Sequence, residues 1–138
     1  PEVEALARQF GFRCILSELP AGGVSFTIRL GTEALGEECG AIVYQTADQP
    51  LLRRETVAAL VDFYRAHPGH IVSLSHDGKR GSPVIFPKEF FPELCALEGD
   101  TGGRAVIRRH EDRLLLFEAE ARELADVDTR ENLKSISK

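Results

Sequence analysis

What the chain lacks narrows its reading first. It has no methionine and opens on Pro1, so translation is expected to start upstream and the 138 residues to be a processed form or a piece of a longer protein. No stretch approaches the roughly 18 consecutive apolar residues of a membrane-spanning helix, and no charged-then-apolar leader opens the chain. A cytoplasmic protein with no membrane partner is expected. The three cysteines, Cys14, Cys39 and Cys95, are odd in number, widely spaced and without a Cys-x-x-Cys pair. That argues against a disulfide framework or zinc knuckle and for reduced thiols. Basic residues are too few to build a field for a phosphate backbone: 17 stand against 22 acidic ones, for a net charge of -5, so no nucleic-acid partner is expected. Gly-x-Ser-x-Gly and Walker-type signatures are missing too, which leaves serine hydrolases and P-loop ATPases unsupported. No internal repeat or low-complexity tract occurs.

What is present suits one domain with a real core. Residues 2–10 place Val3, Leu6, Ala7 and Phe10 on one helical face, and Gly11 stops that helix before a short strand through Cys14, Ile15 and Leu16. A second helix is expected over residues 25–35, with Ser25 capping its first turn and Val24, Ile28 and Leu35 at helical spacing. Residues 40–46 are short, apolar and β-branched, the pattern of a central parallel strand buried on both faces. Val57, Leu60, Val61 and Tyr64 repeat at i, i+3, i+4 and i+7 in a third helix, ended by Pro68-Gly69. Strands at 70–75 and 84–86 flank an expected loop from His76 to Pro83. A helix interrupted by Pro92 covers 88–97, another opens at Gly102-Gly103 and runs to His110, a strand covers 114–117, and Thr129 caps a last helix. Strands alternating with helices point to a three-layer α/β sheet.

Asp48 is the first candidate for chemistry, because a carboxylate where a buried strand runs out is placed to meet a ligand or metal at the carboxyl edge of such a sheet. Asp126, before a helix start, is its candidate companion, and two converging carboxylates would suit Mg²⁺. A turn aspartate at 48 and a helix cap at 126 or 128 are the alternatives. Lys79 and Arg80 sit in one glycine-containing segment. Gly99, Gly102 and Gly103 precede Arg104 at a helix start, where an anion would be favoured, although turn chemistry alone explains such glycines. The four histidines lack a paired ligand spacing and read as surface or capping groups.

Four blocks in order carry a resemblance: Thr46-Ala47-Asp48-Gln49-Pro50-Leu51-Leu52; Arg80-Gly81-Ser82-Pro83-Val84-Ile85-Phe86; Phe91-Pro92-Glu93-Leu94 with Leu97-Glu98-Gly99-Asp100-Thr101-Gly102-Gly103-Arg104; and Asp126-Val127-Asp128-Thr129. Together they resemble the molybdenum cofactor cytidylyltransferase branch of the nucleotidyltransferases. The resemblance implies a Rossmann-like three-layer αβα sheet, incomplete at its N-terminal end, with residues 1–138 as the C-terminal part of a single domain. It implies transfer of a nucleotidyl group from CTP, or another NTP, to a phosphorylated pterin, with release of pyrophosphate and Mg²⁺ as cofactor. By position, Asp48 and Asp126 would be catalytic and hold the metal. Gly23 and Ser25 would contact the nucleotide, Gly81, Ser82 and Pro83 would face the pterin, and Arg104 would contribute to substrate binding.

Two departures stand out. Ser82 occupies a position where the family commonly has asparagine, and nothing here matches the family's opening glycine-rich loop, which resembles Leu-Ala-Ala-Gly-x-Ser-x-Arg-Met-Gly. Nucleotidyl transfer relies on positioning and on neutralising phosphate charge, which that loop would supply, so the chain alone is expected not to turn over. An uncovered sheet edge would invite homo-oligomerisation. The alternatives are a non-catalytic remnant that binds a partner or oligomerises, and a relative acting on sugar phosphates.

Overall fold

The computed structural model describes residues 2–11, 23–46, 48–99 and 101–125. Helices α1 (Glu2–Gln9) and α2 (Gly23–Leu35) precede strand β1 (Ala41–Tyr44) and helix α3 (Arg54–Ala66). Strands β2 (Ile71–His76) and β3 (Lys79–Pro87) form a hairpin. A 3₁₀ turn, Lys88–Phe90, leads into α4 (Phe91–Cys95) and α5 (Arg104–Arg109), and β4 (Leu114–Glu118) is followed by a 3₁₀ segment, Ala121–Leu124. The strands order as β1-β3-β2-β4. β3 is antiparallel to both its neighbours and β4 is parallel to β2, so β1, β2 and β4 point the same way and end at one edge.

Period-two alternation sends the sheet's side chains into two separate cores. On one face Ile42, Ile71 and Phe86 pack with Phe91, Leu94 and Val106 from α4 and α5, with Ile28 of α2 against them. On the other, Val72, Leu74 and Ile85 pack around Leu60 of α3, which is wholly buried. Helix, sheet and helix make the expected three layers. Burying a side chain such as Leu60 contributes about 2 kcal/mol, and α3 ends as its Pro-Gly signal predicts, with Gly69 at φ 83°.

Four local expectations are revised. β1 is no central parallel strand among the described residues: its partner is β3, antiparallel, with Ile42 opposite Phe86, and Val43 is 38% exposed. A four-residue apolar run carries no signal for strand direction. The expected loop from His76 to Pro83 is instead mostly strand, closed by a two-residue turn in which Asp77 and Gly78 both take positive φ (49° and 79°), as hairpin turns with the local right-handed twist require. Helix α2 buries Ser25 and Thr32 rather than an apolar stripe: Ile28 is only partly buried and Val24 and Leu35 are exposed, while Thr32 Oγ1 donates to the Ile28 carbonyl and meets Tyr44 Oη at 2.7 Å. Leu6 and Phe10, on the apolar face of α1, are 56% and 71% exposed.

The expected strand at Cys14, the capped helix from Thr129 and Asp126 itself lie outside the described residues. Among the described residues Cys39 and Cys95 are free thiols, and burial pushes the Cys95 thiol above its ordinary value. No helix among them is long and apolar enough to cross a membrane.

Candidate active site

The carboxyl ends of β1, β2 and β4 and the amino end of β3 share one rim of the sheet, and Asp48 sits there in the turn after β1. What organises this rim is Gln49, a residue that the sequence reading left without a role. It is 5% exposed. Its Nε2 donates to the Ser82 carbonyl (2.7 Å) and the Glu123 carbonyl (3.1 Å), while its Oε1 accepts from Thr46 Oγ1 (3.0 Å). Thr46 N–H also donates to Ser82 Oγ (3.3 Å). One buried amide thus joins the β1 turn, the start of β3 and the segment after β4, which brings the first and second sequence blocks to the same place.

Glu123 completes the clamp. Its carboxylate accepts from Thr56 Oγ1 (2.5 Å), Arg53 N–H (3.2 Å) and Glu120 N–H (3.4 Å). Arg53 is the N-cap residue of α3 and offers no side-chain cap of its own, so a carboxylate 70 residues away accepts the N-cap N–H and faces the helix's positive end. Burial by itself would raise the Glu123 pKa, but the hydrogen bonds from Thr56, Arg53 and Glu120 outweigh it and hold the carboxyl below its ordinary value. No pattern in the sequence foretells this contact, because it pairs an acid with a helix start through tertiary packing alone.

Two polar atoms at this rim stand apart from that satisfied network. Among the described residues, Asp48 Oδ1 and Arg80 Nη1 are buried and have no hydrogen-bond partner, whereas buried polar atoms are paired in the great majority of cases. Arg80 lies opposite Ser75 in the β2–β3 ladder, just before the register shifts between Ser73 and Ser75. Gly81 has a packing role: a Cβ there would lie 2.0 Å from Leu124 Cδ2, and its carbonyl accepts from Ser73 Oγ. Ser82 and Pro83 follow, joined by a cis peptide bond.

The other expected substrate residues form a second locus. Gly23 is the first residue of α2, and Ser25 does not cap that helix: its hydroxyl (2.6 Å) and its N–H (3.2 Å) both donate to the Gly99 carbonyl. This ties the start of α2 to the glycine-rich turn before α5, where Gly103 packs on the Phe86 ring. Arg104, the first residue of α5, is exposed.

The histidines behave as the sequence suggests. His67 and His70 meet backbone carbonyls, and His110 pairs with Glu93 at 2.9 Å. His76, Asp77 and Glu118 bring possible ligand atoms within 4.8 Å of one another at the hairpin tip, but Glu118 Oε1 already accepts Asp77 N–H, and Asp77 is 86% exposed. Beside that tip an open cleft of about 490 Å³ runs along the α3 face, lined by Arg53, Thr56, His76, Phe117 and Glu123.

A family model described as "MobA-like NTP transferase domain" matches residues 1–114. Among solved structures, the chain is similar to Rv0371c from Mycobacterium tuberculosis H37Rv in complex with manganese, with 20% identity, a TM-score of 0.68, and 96% of this chain covering 72% of that one. It is similar to CMP:2-keto-3-deoxy-manno-octonic acid synthetase complexed with CTP, at 14% identity and a TM-score of 0.74, with 99% and 75% covered. It is also similar to the molybdopterin-guanine dinucleotide biosynthesis protein A of Archaeoglobus fulgidus, at 15% identity and a TM-score of 0.62, with 97% and 71% covered. Across such structures the chain spans from 57% to 75% of the matched protein's length. No curated protein matches.

Proposed function

The chain belongs to the MobA-like NTP transferase family, and from that premise we propose that it is part of a nucleotidyltransferase that moves a cytidylyl group from CTP to a phosphorylated pterin and releases pyrophosphate. The observation that carries this reading is Asp48 Oδ1, a buried carboxylate oxygen without a partner among the described residues, at the carboxyl edge of the sheet. Such an oxygen matches the hard donor set that Mg²⁺ takes, one or two carboxylates plus substrate phosphates. The bound cation would neutralise charge on the phosphates. The manganese complex of Rv0371c supports a divalent cation in this fold.

Asp126 would supply the second carboxylate. It follows Glu123 by three residues in sequence and lies outside the described residues. Gln49 and Glu123 act as positioning residues: they fix the turn after β1, so Asp48 meets its ligand without reorganising. Ser82 and Pro83 would border the acceptor. Gly81 would allow the close approach of Leu124, and Gly23, Ser25 and Arg104 would bound the nucleotide side. A cytoplasmic location fits the free thiols, and exposed Leu6, Phe10 and Leu116 offer apolar surface for a homo-oligomer.

The likeness to the CTP-bound synthetase, whose TM-score of 0.74 exceeds the 0.62 of the molybdopterin protein, favours a second reading in which the acceptor is a sugar acid. Turnover with the pterin phosphate against a sugar acid separates the two. For either acceptor, calorimetry of CTP with Mg²⁺ is expected to show binding that Asp48→Asn weakens at least tenfold. A pyrophosphate-release assay on the full-length protein is expected to lose at least a hundredfold in rate, in the range seen when a charge-stabilising group is removed. Undiminished turnover in Asp48→Asn would refute the proposal.

A further inference from the structure

We infer that Arg80 is the rim's anion receptor, a guanidinium held ready for a phosphate oxygen. The inference starts from a cost. An Arg N–H buried without an acceptor loses hydrogen bonds to water and gains none in return, and Arg80 Nη1 is such a group. Among the described residues nothing repays this. Ser75, its cross-strand neighbour, donates its hydroxyl to the Phe117 carbonyl, Ser73 donates to the carbonyls of Leu74 and Gly81, and Ser82 Oγ accepts from Thr46 N–H; none of these three oxygens accepts from Arg80 Nη1.

The placement favours a ligand. Alternation along β3 puts Arg80 on the face of Ser82, Val84 and Phe86, whereas Gly81 faces Leu124 and the α3 side. The register shift opposite Leu74 puts two extra residues into β3 immediately after Arg80, and bulges of this kind re-aim side chains beside functional sites. The residue as a whole is only half-buried. Part of the side chain therefore meets solvent although Nη1 does not, and an anion arriving there would engage a planar fork of donors, which suits phosphate oxygens better than a lysine would. Asp48 would take the cation and Arg80 the anion, two unsatisfied groups of opposite charge at one edge.

The phosphate oxygen can come from the acceptor's phosphomonoester or from the triphosphate, and assigning it to either rests on the nucleotidyl-transfer reading above. Anion capture by Arg80 does not. The test is titration of the protein with inorganic phosphate, inorganic pyrophosphate and CTP with Mg²⁺, each read by calorimetry and by the shift in Tm, in wild type, Arg80→Met and Arg80→Lys. Arg80→Met is expected to weaken binding of at least one anion about tenfold or more, and Arg80→Lys to retain part of it. Without anion, Arg80→Met is expected to melt about 2–4 °C higher, because a flexible apolar side chain replaces an unpaired buried charge. Loss confined to inorganic phosphate assigns the monoester, and loss extending to pyrophosphate and CTP assigns the triphosphate.

Absence of anion binding in wild type, equal binding in Arg80→Met, or a lower Tm for that variant without anion would each overturn the inference. Arg80-dependent phosphate binding in a protein that ignores CTP would sink the proposed function and leave the anion receptor standing. Asp48-dependent CTP binding, with phosphate, pyrophosphate and CTP all bound equally by wild type and Arg80→Met, would do the reverse.

Discussion

Gln49 and Glu123 occupy the same rim as Asp48 and Arg80, yet the two pairs are built on opposite terms. Every hydrogen-bonding atom of the Gln49 side chain and both oxygens of Glu123 are engaged, across four separate segments of chain. Asp48 and Arg80 each keep a buried atom with no partner among the described residues. A satisfied buried network rigidifies a fold, while an unsatisfied one costs stability that folding alone does not return. The difference separates scaffold from site: two groups hold the edge in shape so that two others can wait for a ligand.

Mutations should break this contrast in opposite directions. Glu123→Ala leaves the N–H groups of Arg53 and Glu120 and the Thr56 hydroxyl without this acceptor, and is expected to lower unfolding free energy by about 3 kcal/mol in a urea melt. Gln49→Ala frees the Ser82 and Glu123 carbonyls and should cost about 2 kcal/mol by the same measurement. A near-neutral result for either would mean that the clamp does not hold the rim.

Acid should act through the same carboxylate. Since the folded Glu123 titrates below its unfolded value, its stabilisation is complete above the ordinary glutamate range near about 4.3. It is lost as pH falls through the lower folded value. Melts between neutral and acidic pH should therefore fall more steeply for wild type than for Glu123→Gln. Smallest of all should be the stability change in Asp48→Asn, within about 0.5 kcal/mol of wild type, despite its large expected effect on turnover. Severe destabilisation there would make Asp48 a scaffold residue and erase the contrast.

Much of the framework could be read from residue order. The helical repeat from Val57 to Tyr64 and its Pro-Gly stop reappear as α3, the apolar stretch before Glu118 as β4, and the glycine pair before Arg104 as the start of α5. Asp48 was legible as a rim residue because the turn that follows an apolar strand lies at the edge of the sheet. The Asp77-Gly78 hairpin also carried a signal, an Asp-Gly pair between strand-forming runs, obscured by the neighbouring Gly81 and Pro83. Ser25 misled because a serine near a helix start usually caps it, whereas here the glycine-rich turn before α5 claims both its donors.

Local pattern alone determined the alternation of helices and strands and the acid at the end of one of them, because periodicity and turn chemistry act over a few neighbouring residues. Tertiary structure decided the rest: the direction of β1, the Gln49 bridge to segments 33 and 74 residues away, and the isolation of the Arg80 guanidinium. Hydrogen bonds across such separations, and the lack of them, depend on which surfaces meet when the layers close, and no run of adjacent residues encodes that by itself.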